Sequence, residues 1–192
     1  MEKELERISI FIDGSNFYHS LRKILEDNEK INYQKLINIL TRDKKLVNIF
    51  YYIAHLDKNI NAFKYKKHDD FLKHLSKIPK IIIRLCNLKR VKINNHNSFV
   101  VKGDDIQLAQ DIIVGAFDNL YDVAIIVSGD EDFISIIDFV RKRFKKKVIN
   151  AYFRSSSSYK LKNSCDYSIK LNKILSEFID KTDENNKSSS VV

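Results

Sequence analysis

The chain has 192 residues, 44% hydrophobic and 31% charged, which suits one soluble domain with its own core and excludes a chain disordered throughout. No apolar run approaches the roughly 20 residues of a membrane-crossing helix, and Cys86 and Cys165 lack metal-ligand spacing, so both read as reduced core residues. Lysine and arginine outnumber the acids by 34 to 25, a net charge of +9 that favours a polyanionic partner such as nucleic acid, although a bias towards Lys, Asn and Ile codons would produce the same excess.

Residues 1–7 alternate acid and base with no signal-peptide core, so a cytoplasmic protein is expected. The apolar run RISIFI, 7–12, reads as a buried strand ending at Asp13-Gly14. Phe17, Leu21, Ile24 and Leu25 predict a helix over 15–27, and Leu36, Ile37 and Leu40 a second over 33–43. Residues 45–55 are β-branched and aromatic and read as a strand. A polar helix over 60–76 follows, closed by Pro79, the one proline. Two or three strands come next, at 80–85, 90–93 and 98–102, the last two flanking the polar turn 94–97. Residues 104–119 predict a helix with Ile106, Ala109, Ile113, Ala116 and Leu120 on one stripe. A strand at 122–127, a helix at 131–144 and a strand at 147–153 follow. A serine loop at 155–158, a short strand within 164–171 and a closing helix at 172–179 complete a single domain, 1–180, with 181–192 as a disordered tail. Strands alternate with helices and the clearest strands are apolar throughout, which predicts an α/β fold with a mostly parallel sheet covered on both faces.

Three of the four glycines stand beside an acid at the end of an apolar run: Asp13-Gly14, Gly103-Asp104-Asp105, and Gly129-Asp130 with Asp132 beyond it. Ligands of doubly wound sheets gather beyond the carboxyl ends of the strands. Carboxylates crowded there suit Mg2+ or Mn2+, which prefer oxygen ligands. The competing reading is helix capping, worth about 0.5–2 kcal/mol for each acid. Asp13 resists it most, because Ser15 or Asn16 could cap the following helix instead.

In this order, FIDGSNFYHSL, KGDDIQLAQD and VSGDEDF resemble the motifs of the NYN domain family, the LabA-like branch of the PIN-like ribonucleases. The resemblance implies a Rossmann-like, three-layer α/β/α fold and cleavage of RNA, single-stranded in the expected case, by a Mg2+ or Mn2+ centre. It makes Asp13, Asp105, Asp130 and Asp132 the metal ligands and, with Asn16, the catalytic set. Asp104 stands where the family is often apolar, so the choice between Asp104 and Asp105 stays open. Asp111 matches a second helix acid. It lies about 20° from Asp104 but about 120° from Asp105 around the helix, and either supports the ligands from behind or forms a salt bridge beneath them.

Lys102, Ser128, Arg154, Ser155 and Lys160 are the candidate substrate contacts, with Tyr18, Tyr152 and Tyr159 as stacking platforms. The run RKRFKKK, 141–147, falls about 20 Å from Asp130 at the far end of its helix, where cations complement the dipole. His19 reads as a surface or packing residue. No membrane partner is expected, and homo-oligomerisation is left open. A non-catalytic nucleic-acid-binding module of the same fold is the alternative. A haloacid-dehalogenase-type phosphatase is set aside, because Ser15 occupies the position of its required second aspartate.

Overall fold

The computed structural model describes residues 4–56, 58–59, 61–93 and 96–181, with the backbone alone for 89–93 and 96–102. The chain runs β1 (Arg7–Asp13), α1 (Gly14–Leu21), β2 (Glu29–Ile31), α2 (Tyr33–Thr41), β3 (Lys45–Ala54), α3 (Ala62–Leu75), β4 (Ile81–Ile93) and β5 (His96–Lys102). It continues through α4 (Asp104–Phe117), β6 (Val123–Val127), α5 (Ile134–Phe144), β7 (Lys147–Tyr152), α6 (Tyr159–Ser164), β8 (Tyr167–Lys170) and β9 (Ile179–Lys181).

Seven strands form one sheet in the order β5-β4-β3-β1-β6-β7-β8, and every pairing except β4–β5 is parallel. The chain first builds outward from β1 through β3 to β4, then returns to lay β6, β7 and β8 on the other side. The order therefore reverses between β1 and β6, and a crevice opens at such a switch point.

Strand alternation divides the core into two layers. Ile8, Ile10 and Ile12 of β1 and Val123, Ile125 and Val127 of β6 face Phe17 and Leu21 of α1, Leu36, Ile37 and Leu40 of α2 and Leu75 of α3. Phe11 of β1 and Ala124 and Ile126 of β6 face Leu108 and Ile112 of α4, Ile137 and Val140 of α5 and Leu161 of α6. Central strands buried on both faces leave no room for alternation of polar residues, which is why their sequences read as continuous apolar runs.

The structure departs from the sequence reading in five places. The first helix stops at Leu21, not Asp27; Ile24 and Leu25 pack on the core from the turn that follows, so helical spacing outlasts the helix. Residues 81–93 are one strand rather than two, and the tip of the turn, 94–95, lies outside the described residues. Leu108, Ile112, Gly115 and Ala116 are the buried face of α4, whereas Ile106 is 73% exposed. Gly115 decides that rotation: a Cβ there would meet the Tyr121 ring at 2.8 Å, and the Tyr121 hydroxyl donates to Ile112 O at 2.6 Å. The serine loop holds a 3-10 turn, Arg154–Ser156, and Ser158 caps α6. Finally, 3-10 turns at Leu171–Lys173 and Leu175–Glu177 replace the closing helix, and β9 pairs antiparallel with β2. Order thus extends through Lys181, and the rest of the expected tail, 182–192, lies outside the described residues.

Candidate functional site

Asp13 ends β1 at the switch point, and only 6% of it is exposed. Its Oδ1 accepts the Asn16 N–H at 2.9 Å and caps α1, a role that neither Ser15 nor Asn16 takes. Its Oδ2 accepts the Ser128 hydroxyl at 2.9 Å. The Ser128 oxygen in turn accepts the Asp130 N–H at 3.2 Å, and the Asn16 side-chain oxygen accepts the Gly129 N–H at 3.1 Å. This network ties the end of β1 to the end of β6. Asp130 Oδ1 accepts the Asp132 N–H at 3.0 Å and opens the 3-10 turn Glu131–Phe133 that leads into α5. Beneath the turn, the buried Asn150 of β7 donates from Nδ2 to Ser128 O at 2.8 Å and to Ile126 O at 3.3 Å.

Across the crevice α4 begins at Gly103, whose φ of +87° lies in the left-handed region. Gly103 offers no side-chain cap, so Asp104 and Asp105 occupy the first turn, where the helix dipole favours negative charge. The carboxyls sense one another. Burial raises the pKa of Asp13, hydrogen bonds from Asn16 and Ser128 oppose the rise, and the charges of Asp104 and Asp130 add to it. Desolvation, then the charges of Asp104, Asp13, Asp130 and Asp132, push Asp105 up to about 6. Among the described residues none of Asp13, Asp104, Asp105, Asp130 and Asp132 forms an ion pair with a cationic side chain.

A carboxylate rim with no cationic partner among the described residues suits a hard divalent ion. Among the described residues, however, no three His, Cys, Asp or Glu side chains are grouped to hold one ion as they stand. Loading a cation therefore calls for side-chain rotation of the exposed Asp105 and Asp132.

Other sequence candidates stand elsewhere. Asp111 takes the salt-bridge alternative: both its oxygens accept from the Arg84 guanidinium at 2.9 Å, and Oδ2 also accepts the Tyr52 hydroxyl at 2.9 Å. Lys160 pairs with Glu131 at 3.6 Å, and Ser158 donates to the same carboxylate at 3.1 Å. Ser128 is a strut between two acids rather than an open substrate contact. Arg154 and Ser155 are exposed on the rim loop, and Arg154 N–H donates to Asn172 at 2.7 Å. The Lys102 side chain lies outside the described residues. In the basic run, Arg141 binds Asp166 through two nitrogens, Lys142 pairs with Asp138, Lys146 with Asp122 and Lys147 with Glu6, so four of these cations are in structural ion pairs. Lys162 sits 5.0 Å from the Tyr152 ring, Tyr159 is exposed, and His19 is a surface residue. The sequence reading missed Asn150 and the Ser20–Ser156 hydroxyl contact at 3.0 Å. A lone polar residue inside the apolar strand KVINAY was the one available signal for Asn150.

A family model described as NYN domain matches residues 7–174. The chain belongs to the NYN domain family. This NYN domain also resembles the crystal structure of a protein of unknown function, VPA0982 from Vibrio parahaemolyticus RIMD 2210633. The TM-score is 0.68 at 22% identity, over 93% of this chain and 99% of that one, which supports the fold. A reductase domain from the aureusimine biosynthetic cluster aligns at a TM-score of 0.30 and 10% identity, over 80% of this NYN domain and 34% of that chain, and bears on nothing here. No curated protein matches the sequence. Among the described residues no helix is long and apolar enough to cross a membrane.

Proposed function

We propose that this NYN domain is a divalent-metal-dependent ribonuclease whose centre lies at the β1–β6 switch point. The observation that carries the reading is the unneutralised rim: Asp13, Asp104, Asp105, Asp130 and Asp132 have no cationic partner among the described residues, and burial first, with the neighbouring acids' charges adding to it, raises Asp13 and Asp105. Mg2+ or Mn2+, when bound, would supply charge neutralisation of the phosphodiester and a lowered pKa for the attacking water.

The chain's own residues hold that centre in place. Asp13 is the fixed ligand, because both its oxygens are oriented by donors while each keeps a lone pair for a cation. Asp130 is oriented through Ser128 and the Asp132 N–H. Asp105 and Asp132 are exposed and supply the adjustable ligands. Asp104 is partly buried in the same first turn, and its charge acts on both Asp13 and Asp105. Arg154 and Ser155 stand on the loop beside the rim, where phosphate oxygens of single-stranded RNA would pass. A role in the cytoplasm fits this substrate.

The test is Asp13→Asn, which keeps an acceptor for the Asn16 N–H and removes the fixed charge. Cleavage of a single-stranded RNA in Mn2+ should fall to background while circular dichroism stays unchanged. Wild-type protein that binds this RNA equally in Mn2+ and in EDTA but never cleaves it would establish the non-catalytic binding module instead.

A further inference from the structure

The long strand β4 does more than complete the sheet. Asp13 is level with Tyr52 of β3, and Tyr52 is level with Arg84 of β4. The parallel pairing of β3 with β4 ends at Ala54 and Cys86. Beyond it β4 pairs with β5, from Asn87–Lys102 out to Ile93–His96. From the level of Asp13 to Ile93 the strand climbs about 30 Å at the usual rise per residue. All parallel strands share one direction, so this climb leaves the sheet at the edge that carries the acids. The return strand ends at Lys102, and after Gly103 the chain enters Asp104 and Asp105. A two-stranded ribbon thus rises from the acidic rim, and its base is covalently continuous with two of the rim acids.

The ribbon's sequence, NLKRVKINNHNSFVVK over 87–102, contains Lys89, Arg90, Lys92 and Lys102 and no acid. Along the register Lys89 stands opposite Val100, Arg90 opposite Phe99 and Lys92 opposite Asn97, so the residues level with these three bases are not acids. The basic run at 141–147, by contrast, is largely in ion pairs at the opposite edge. A lone two-stranded ribbon is marginal in water and gains from a partner, and a positive one beside an acidic centre complements a polyanion that passes over both.

We propose that the β4–β5 ribbon is an arm that holds the phosphate backbone of single-stranded RNA and delivers the strand to the acidic rim. This rests on the ribonuclease reading for its substrate, but the arm is a binding element and needs no metal. Phosphate contacts release counterions and so make affinity depend on salt, with a slope near 0.7 for each contact on a single strand.

The experiment is fluorescence anisotropy of a labelled 30-nucleotide RNA in EDTA over a range of salt, with cleavage in Mn2+ measured separately. The variant combines Lys89→Glu, Arg90→Glu and Lys92→Glu; charge reversal keeps the sheet edge charged against aggregation. The control combines Lys142→Glu, Arg143→Glu and Lys145→Glu, which changes net charge equally at the far end of α5. The salt slope should fall by about 2 in the arm variant and stay at the wild-type value in the control, with both variants melting cooperatively. Equal slopes in wild type and arm variant, or equal losses in both variants, would overturn the arm and leave the nuclease reading untouched. If the wild type binds with the arm's salt signature but never cleaves in Mn2+, the nuclease reading falls and the arm stands. No RNA binding by the wild type removes both.

Discussion

Asp13 reconciles two readings that competed in the sequence. Capping consumes one lone pair on Oδ1, and the Ser128 hydroxyl consumes one on Oδ2. Each oxygen keeps another, so the cap leaves room for the proposed ligand role. Gly129 has an equally specific duty. A Cβ there would lie 1.6 Å from Ser156 O, a clash with backbone that no rotamer change relieves. Gly129→Ala must push the 154–158 loop away from the Asp130 turn, at about 1–3 kcal/mol for a forced backbone shift. The denaturant midpoint should fall accordingly, and RNA cleavage should fall with it because the turn also carries Asp130. An unchanged midpoint would mean that the loop is free to move and does not brace the site. Nothing in the sequence reveals this contact, since Gly129 and Ser156 are brought together by β6 and β7 rather than by spacing.

At the scale of elements, α4 is seated on the sheet by Asp111 as well as by its apolar face. The Arg84 guanidinium from β4 and the Tyr52 hydroxyl from β3 both donate to it, and the Asp111 side chain is only 16% exposed. Arg84→Ala leaves that carboxylate with the Tyr52 hydroxyl alone. Because Arg84 is itself 42% exposed, solvent screens part of the loss, and a destabilisation of about 1–2 kcal/mol is expected. Metal-dependent cleavage should survive at temperatures where the variant is folded. Loss of cleavage without loss of stability would instead make Asp111 part of the reacting centre.

The same helix shows what was legible in the sequence. The alternation of continuous apolar runs with helical spacing gave the parallel sheet, and glycines beside acids at run ends drew attention to Asp13, to the pair Asp104 and Asp105, and to Asp130. The rotation of α4 was misjudged because Ile113, Ala116 and Leu120 satisfy helical spacing as well as Leu108, Ile112 and Ala116 do. Only the Tyr121 ring against Gly115 separates the two faces. Similarly, 172–179 reads as a closing helix, but Ile174, Leu175 and Phe178 pack on the core from 3-10 turns and the chain after them, because the pairing of β9 with β2 draws the chain straight.

For the whole molecule, the acid rim should leave a signature in the pH dependence of stability. Asp105 moves from 3.8 to about 6, and Asp13 moves in the same direction. An acid whose pKa is raised on folding binds more protons in the native state, so its contribution is full below the unfolded value and is lost as pH rises through the folded one. For Asp105 that window runs from about 4 to about 6. Other groups oppose it. His68, whose burial lowers its pKa, favours folding as pH rises, and Asp122, Glu6, Asp166 and Asp180, all lowered in ion pairs, cost stability under more acidic conditions. The informative quantity is therefore the difference between wild type and Asp105→Asn without metal. Asp105→Asn should melt higher than wild type near neutral pH, and the gap should shrink as pH falls through about 6. A divalent ion should reverse the order, since it binds the charged rim and stabilises the native state by about 2.7 kcal/mol at one hundred times its Kd. Wild-type Tm should then rise with Mn2+ near neutral pH, and the Asp105→Asn Tm should rise less. A gap independent of both pH and Mn2+ would mean that Asp105 does not share a field with Asp13, and the ligand assignment would pass to Asp104.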